Sequence, residues 1–520
     1  MLYTPSKYQQ AIFEAYKKTN KNIAIEACPG SGKTQTLISL LGMTPKTKKV
    51  LFCAFNKSIA TELAMKVPEF VKVSTLHSLG YKTLLRHTNH KFILKDNKTF
   101  ILAQKYVKYP DVLKNYGEKM FYTMMLCKVI DLYRMNKCKG EEDLKNVLDA
   151  YSIDTGADLI PVAVKLMESI DRYNSGSFKK DPQMIDFTDM LYLSDKLNAE
   201  YFDNYNIVMF DESQDANRLQ LSIIEKSIKK NGRLISVGDS KQCIYSFMGA
   251  NSDVFEAMKR RPKTIVLPLS FCYRCGTKIV DEANKVFNVI ESPRGQHEGE
   301  VRIGSVWDIR KNDYVICRNN LPLINLYLWL TKRSIPCQIM GKDYGTSLSQ
   351  ILKKIDGSKI EDENIKKLLE EKYVELTSKG IKNIRKSKQY ISYLEKLSVL
   401  KIISADYIGK SEISSAIELM FGDGAKKDMV ILSTIHKSKG LEADRVFFML
   451  RKEIPSKYAM TKEELFSEKC LNYVAVSRAK NELVYIDEVP FECKENELEN
   501  YLSYLNIDYK NLEKTILKLK

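Results

Sequence analysis

Short apolar runs rich in β-branched residues recur along this chain, and most of them break into a polar cluster. They include Ile23-Ala24-Ile25, Val50 to Phe55, Val71 to Thr75, Asn206 to Phe210, Arg233 to Val237, Ile265 to Phe271, Tyr314 to Cys317 and Met429 to Leu432. Runs this short and this continuous predict buried strands of a parallel sheet. Stretches with helical spacing lie between them, such as Tyr8 to Tyr16 after the start signal Thr4-Pro5-Ser6, and Gln35 to Leu41. The alternation predicts an α/β fold. In an open parallel sheet, ligands bind beyond the C-terminal ends of the strands. Asn56-Lys57-Ser58 and Leu76-His77-Ser78 are therefore placed for binding. Taken singly, Phe55 and His77 read equally well as core or capping residues. From about residue 80 to 186 the pattern becomes helical and rich in Lys and Tyr, with no recognisable chemistry, and Asp186 to Leu191 leads back to the sheet system. A second helical stretch, rich in Lys, Glu and Ile, covers about 346 to 424.

One break carries specific chemistry. The run Ile23 to Glu26 ends in Ala27-Cys28-Pro29-Gly30-Ser31-Gly32-Lys33-Thr34, directly before a helix. A strand, a glycine-rich turn and a helix in this order aim backbone N–H groups and the positive helix end at phosphates; Lys33 adds a mobile charge and Thr34 a hydroxyl for Mg²⁺. Ala27 stands where the usual pattern has its first glycine. The expectation is ATP or GTP binding.

Other strand ends add to this. Asn206 to Phe210 terminates in Asp211-Glu212-Ser213-Gln214-Asp215, where one carboxylate can hold Mg²⁺ through its water shell and the next can polarise a water. Arg233 to Val237 leads into Gly238-Asp239, then Gln242, which can sense a γ-phosphate, and Tyr245 and Phe247, rings on which bases can stack. Gln9 can read an adenine edge, because its amide both donates and accepts.

At 520 residues, the chain has room for several domains. No apolar run approaches the ~18 residues needed to cross a bilayer, and the N-terminus lacks the pattern of a secretory signal. The expectation is a protein that remains where it is made, in the cytoplasm, and is neither secreted nor membrane-bound. Eighty-two Lys and Arg against 65 Asp and Glu leave a formal charge of +17, which favours a polyanionic partner. The 11 cysteines are scattered without zinc-site spacing and read as reduced thiols.

Taken together, these motifs resemble the superfamily-one helicases of the UvrD/Rep type. The likeness rests on Gln9, Ala27 to Thr34, Phe55-Asn56-Lys57, Thr75 to Ser78, Asp211 to Asp215, Val237 to Ala250 and Phe271-Cys272-Tyr273-Arg274. It continues through Arg318-Asn319-Asn320, Thr434-Ile435-His436 to Glu442, and Leu471 to Lys480. The resemblance implies two RecA-like parallel-sheet motor domains of the P-loop NTPase class, each with a mainly helical insertion. The first would comprise 1–79 and 187–270, with 80–186 inserted; the second 271–345 and 425–520, with a short insertion at 346–424.

The resemblance also implies the roles. Lys33 and Thr34 would hold phosphate and Mg²⁺, with Asp211 in the metal's shell and Glu212 on the attacking water. Gln242, Arg274 and Arg478 would contact the γ-phosphate. Ala27, Gly30, Ser31, Gly32 and Gln35 would complete the ATP loop; Tyr273 would stack on adenine, Gln9 read its edge and Glu442 contact ribose. Phe55, Asn56, Thr75, His77, Tyr245, Phe247, Thr434 and His436 would line a single-strand path. The implied activity is an ATP-dependent DNA helicase moving 3′ to 5′ on single-stranded DNA, acting on tailed duplexes in replication or repair. The alternatives are a translocase that strips proteins with little unwinding and, in a different class, an ATP-switched binding module; Glu212, Arg274 and Arg478 argue against the switch. Gln35 replaces an arginine that packs on the base in relatives, Cys272 an asparagine and Ser477 a threonine.

Overall fold

Alternate residues of the central strands are buried on opposite faces, as a sheet covered on both sides requires. Phe52, Met209, Ile235 and Ile25 join Ile12, Phe13, Leu37 and Leu40 in one core, and Leu51, Cys53, Val208, Phe210 and Leu234 join Leu219, Ile223 and Phe255 in the other. In this computed structural model of the protein the described residues are 4–54, 56–88, 91–110, 116–150, 159–175, 183–244, 252–355, 357, 359–378, 383–407, 409–422, 428–457, 459, 461–487, 507–512 and 514. The chain divides into two compact units. One comprises Met1–Tyr273 with Val289–Pro293, the other Arg274–Asn288 with Arg294–Lys520.

The first unit contains strands β1 (Asn22–Ala27), β2 (Val50–Ala54), β3 (Val71–Thr75), β4 (Phe92–Leu94), β5 (Gln183–Ile185), β6 (Tyr205–Phe210), β7 (Ile228–Gly238) and β8 (Thr264–Leu269). Six form a parallel sheet in the order β3-β2-β6-β7-β1-β8, while β4 and β5 pair separately. Because the strands run parallel, their polar C-terminal ends gather along one edge in the sheet's own order. The stretch after Ile185 returns to this unit as a helix, Phe187–Asp195, whose N-cap is Asp186.

Between β3 and β6 the helices Tyr116–Met135, Glu141–Ala150 and Leu159–Asn174 pack around Leu126, Ile130, Leu144, Leu166 and Ile170. A charged cluster is buried beside this core. Arg134 donates to Asp186 at 3.0 Å, Asp189 at 2.9 Å and Asp131 at 2.6 Å, and Lys98 pairs with Asp189. Lys98, Asp189 and Arg134 are all 1% exposed or less. Buried charges persist only when each is matched in this way.

The second unit contains β9 (Glu300–Ile303), β10 (Tyr314–Cys317), β11 (Cys337–Met340), β12 (Phe421–Gly422), β13 (Val430–Thr434), β14 (Ala443–Met449) and β15 (Ala479–Ile486). They form a seven-stranded parallel sheet in the order β12-β11-β13-β10-β14-β15-β9. Helices Lys342–Lys354, Asp362–Ser378, Lys388–Asp406 and Lys410–Met420 lie between β11 and β12. Their Leu369, Leu397 and Ile417 share one continuous core with Val315, Ile339 and Val430 of the sheet and with Tyr509 near the C-terminus. Among the described residues, no helix is long and apolar enough to cross a membrane.

Candidate active site

The loop after β1 explains its own missing glycine. Gly30 and Gly32 hold φ of 63° and 77°, the left-handed region that only glycine enters without strain, whereas Ala27 is the last residue of β1, paired with Leu269 of β8. The backbone demand falls on 30 and 32, so a Cβ at 27 is tolerated. Gly32 caps the helix Lys33–Gly42, and Ser31 Oγ donates to Cys28 O at 2.8 Å, which holds the turn closed.

Lys33 and Thr34, at the start of that helix, face the end of β6. Lys33 Nζ is 3.1 Å from Glu212 Oε2, and Thr34 Oγ1 donates to Asp211 Oδ2 at 2.9 Å. Burial opposes the charge on Lys33, but Glu212, Asp211 and Asp239 outweigh it and raise the ammonium pKa. Burial, then the neighbouring Glu212, pushes Asp211 up to about 6. Burial likewise pushes Asp239, at the end of β7, up to about 6. A buried set in which acids outnumber the nearest base is short of positive charge. That shortage, with the Thr34 hydroxyl against Asp211, fits Mg²⁺. Among the described residues no group of three or more His, Cys, Asp or Glu could hold a metal unaided. This suits an ion that takes one or two protein oxygens and completes its shell with phosphate and water.

Two further side chains arrange these acids. Glu212 sits at φ 52°, and Gln214 Nε2 donates to its Oε2 at 2.6 Å. Gln214 Oε1 accepts from Asp239 N at 3.0 Å, while Gln242 Nε2 donates to Asp239 Oδ2 at 2.8 Å. Asp239 and Gln214 had been visible only as members of acidic or polar strand ends. Their signal is the apolar strand that precedes each.

On the β8 side lie the candidate base contacts. Gln9 Oε1 accepts from Ser6 N at 3.0 Å, which caps its own helix, and Gln9 Nε2 donates to Thr36 Oγ1 at 3.0 Å. One lone pair and one N–H of this buried amide are left for a base edge. Tyr273 donates its N–H to Gly30 O at 2.9 Å and is 45% exposed, so its ring is open beside the loop. Phe271 meets Tyr273 edge-on at 6.4 Å and Tyr8 at 5.2 Å, which fixes the aromatic row. Gln35 is exposed, with its side chain making no contact that orders it as a base clamp.

The strand-binding candidates of this unit lie at the ends of β2 and β3, on the other side of β6. Asn56 Oδ1 accepts from Ile59 N at 2.9 Å and Thr75 Oγ1 from Ser78 N at 3.2 Å, so both cap helices. Burial lowers the His77 pKa and leaves a neutral imidazole. Its ring is met edge-on at 6.3 Å by Phe187, 52% exposed and not singled out from the sequence. Phe55, Tyr245 and Phe247 lie outside the described residues.

In the second unit, Arg274 pairs with Glu442 at 2.5 Å and donates to Ser477 O at 3.2 Å. Arg478 is buried at 1% exposure, with its guanidinium donating to Val474 O, Leu441 O and Ser477 Oγ. Burial, then the Arg274 charge, lowers it to about 10. Two crowded guanidiniums favour an anionic ligand. Glu442 also pairs with Lys480 at 2.9 Å; against the effect of burial, Arg274 and Lys480 draw its carboxyl below the usual range. Thr434 ends β13, and His436 follows in a short helix. Burial, then Arg318, lowers the His436 imidazole to about 4, and Arg318 is held by Glu468 through a fork of 2.7 and 3.1 Å.

The phosphate loop between β1 and its helix, facing two acids at the end of β6, a parallel strand one place removed in the same sheet, defines a P-loop nucleoside-triphosphate-binding protein. The family can be named as well. Residues 8–263, just under half of the chain, match the UvrD/REP helicase N-terminal domain, and this stretch is of the UvrD/Rep type. It is 23% identical to F-box DNA helicase protein 1 of Schizosaccharomyces pombe, over 92% of this chain and 57% of that protein. It is 25% identical to the ATP-dependent DNA helicase Rep of Buchnera aphidicola subsp. Baizongia pistaciae, over 51% of this chain and 40% of the relative. With the Rep protein of subsp. Acyrthosiphon pisum the identity is 22%, over 91% and 93%. The chain thus spans about half the length of the first two relatives.

Proposed function

We propose that this protein is an ATP-dependent DNA helicase that moves 3′ to 5′ on single-stranded DNA and unwinds tailed duplexes. The observation that carries the reading is the facing of Lys33 with Glu212 and of Thr34 with Asp211, within a stretch of the UvrD/REP family. Lys33 neutralises phosphate charge, and Glu212 orients the attacking water with its carboxylate held by Lys33 and Gln214. Bound Mg²⁺ would supply charge neutralisation at the β- and γ-phosphates, held through Thr34 and Asp211. Gln242, Arg274 and Arg478 contact the γ-phosphate, the arginines stabilising charge that develops on transfer. Gly30, Ser31 and Gly32 cradle the phosphates beside Ala27. Tyr273 stacks on adenine, Gln9 reads its edge, Gln35 borders the nucleotide with a weaker grip on the base, and Glu442 contacts ribose.

Asn56, Thr75, His77 and Phe187 line the strand path in the first unit, Thr434 and His436 in the second, with Phe55, Tyr245 and Phe247 assigned to the same path. Stacking and backbone contact of this kind give binding with little sequence preference. Residues 80–186 and 346–424 are insertions in two motor domains. The shortness of the second insertion, 346–424, supports a second reading, a translocase that strips bound proteins with little unwinding.

A strand-displacement assay with 3′- and 5′-tailed duplexes of DNA and RNA tests the proposal. ATP-dependent displacement from 3′-tailed DNA is expected. Displacement from the 5′ tail alone would refute the polarity, equal action on RNA the choice of DNA, and single-strand-stimulated ATPase without displacement would select the translocase.

A further inference from the structure

Gln214 is 1% exposed, and a buried amide needs partners for both its oxygen and its nitrogen. Here the partners belong to two different strand ends. Its Nε2 donates to Glu212 Oε2 at 2.6 Å, at the end of β6, and its Oε1 accepts from Asp239 N at 3.0 Å, at the end of β7. The chain of contacts extends at both ends, to Lys33 Nζ at 3.1 Å from Glu212 and to Gln242 Nε2 at 2.8 Å from Asp239.

The surroundings are shaped to this amide. A Cβ added at Gly238 would lie 2.7 Å from Gln214 Oε1 and 3.1 Å from its backbone nitrogen, so glycine at 238 lets the two strand ends approach. Cys243 Sγ reaches Gln214 O at 3.5 Å, which adds a contact to the segment after β7. Glu212 itself sits in the left-handed region at φ 52°, a conformation that persists in a non-glycine residue when its neighbours hold it. The chemistry of the link is specific. Glu212 needs a donor and the Asp239 N–H an acceptor; a carboxylate lacks the first and an ammonium the second, whereas an amide of this length supplies both.

We propose that Gln214 is a positioning residue: it fixes the carboxylate of Glu212 and ties it to the Asp239–Gln242 segment, so that the water-orienting group and the γ-phosphate sensor keep one geometry. The inference rests on the ATPase reading above. Gln214 acts through Glu212 and Asp239.

The test compares full-length wild type, Q214E, Q214M and K33A in single-strand-stimulated ATPase assays across ATP concentration, with thermal melting and binding of a fluorescent ADP analogue. Q214E keeps length and the acceptor for Asp239 but sets a carboxylate against Glu212. Q214M keeps volume without charge, and covers the case in which Q214E does not fold. Each is expected to lose about 10- to 100-fold in kcat, the usual effect of removing an outer-shell partner, with KM for ATP and ADP-analogue affinity within about twofold of wild type. Full kcat in Q214E or Q214M, or a kcat loss matched by equal losses in nucleotide affinity and melting temperature, would overturn the positioning role. K33A separates the two failures. Turnover lost in K33A but kept in the Gln214 variants overturns the role of Gln214 alone, whereas turnover kept in K33A overturns the ATPase reading and this role with it.

Discussion

Asp211→Asn removes one buried charge while keeping both hydrogen bonds of the side chain. An asparagine oxygen can accept from Glu212 N, as Asp211 Oδ1 does at 2.9 Å, and its nitrogen can donate to Thr34 Oγ1, with the hydroxyl reversed. Lys33 keeps Glu212 as its partner. The carboxyl at 211 is pushed from 3.8 up to about 6 by burial and Glu212. The folded state therefore holds a proton that the unfolded chain releases, and stability drops as pH rises from about 4 to about 6. Above that window the charge costs about 2 units at about 1.36 kcal/mol each, on the order of 3 kcal/mol.

Nucleotide-free Asp211→Asn should accordingly unfold up to about 3 kcal/mol harder than wild type at pH 8 and nearly equally at pH 4. Urea titration followed by far-ultraviolet circular dichroism reads the difference. The chain's two tryptophans, Trp307 and Trp329, both lie in the second unit, so their fluorescence should report an unchanged transition there. The variant should at the same time lose ATPase activity. No gain at pH 8, or a gain of equal size at both pH values, would refute the reasoning.

Arg134→Met leaves Asp186 and Asp189 facing Lys98 alone and should destabilise the protein by about 3–5 kcal/mol in urea titration, with the ATPase rate of the folded fraction retained. Tyr273→Ala should raise KM for ATP about 10-fold in steady-state kinetics, since a base–ring stack is worth about 1–3 kcal/mol and Gln35 offers no second clamp. Phe187→Ala should weaken single-stranded DNA binding about 10-fold in fluorescence anisotropy while leaving KM for ATP in place, by the same stacking energy.

The site was legible where a local pattern carried it. An apolar strand that stops at Gly30-Ser31-Gly32-Lys33-Thr34 or at Asp211-Glu212 marks itself, because strand ends in a parallel sheet are where ligands bind. Even the imperfect Ala27 resolves locally, as a strand residue that never needed a positive φ. Contacts that join distant segments had no such signature. The buried cluster of Lys98, Arg134, Asp186 and Asp189 left no mark in a stretch read only as helical, since its members are up to 91 positions apart. Phe187 read as part of a returning segment until the helix it starts brought it against His77. Gln214 could be placed in an acidic motif, but not in its link to Asp239, which depends on β6 and β7 lying side by side. Likewise, helical spacing across 346–424 gave no hint that these helices share a core with the second sheet.

The central claim is that a phosphate loop built on Lys33 runs a DNA-stimulated motor, and one measurement bears on it most directly. ATP hydrolysis is followed for wild type and Lys33→Ala with and without single-stranded DNA. The wild-type rate should rise with DNA and the Lys33→Ala rate should fall to background in both conditions. Stimulated hydrolysis that survives in Lys33→Ala would contradict the account.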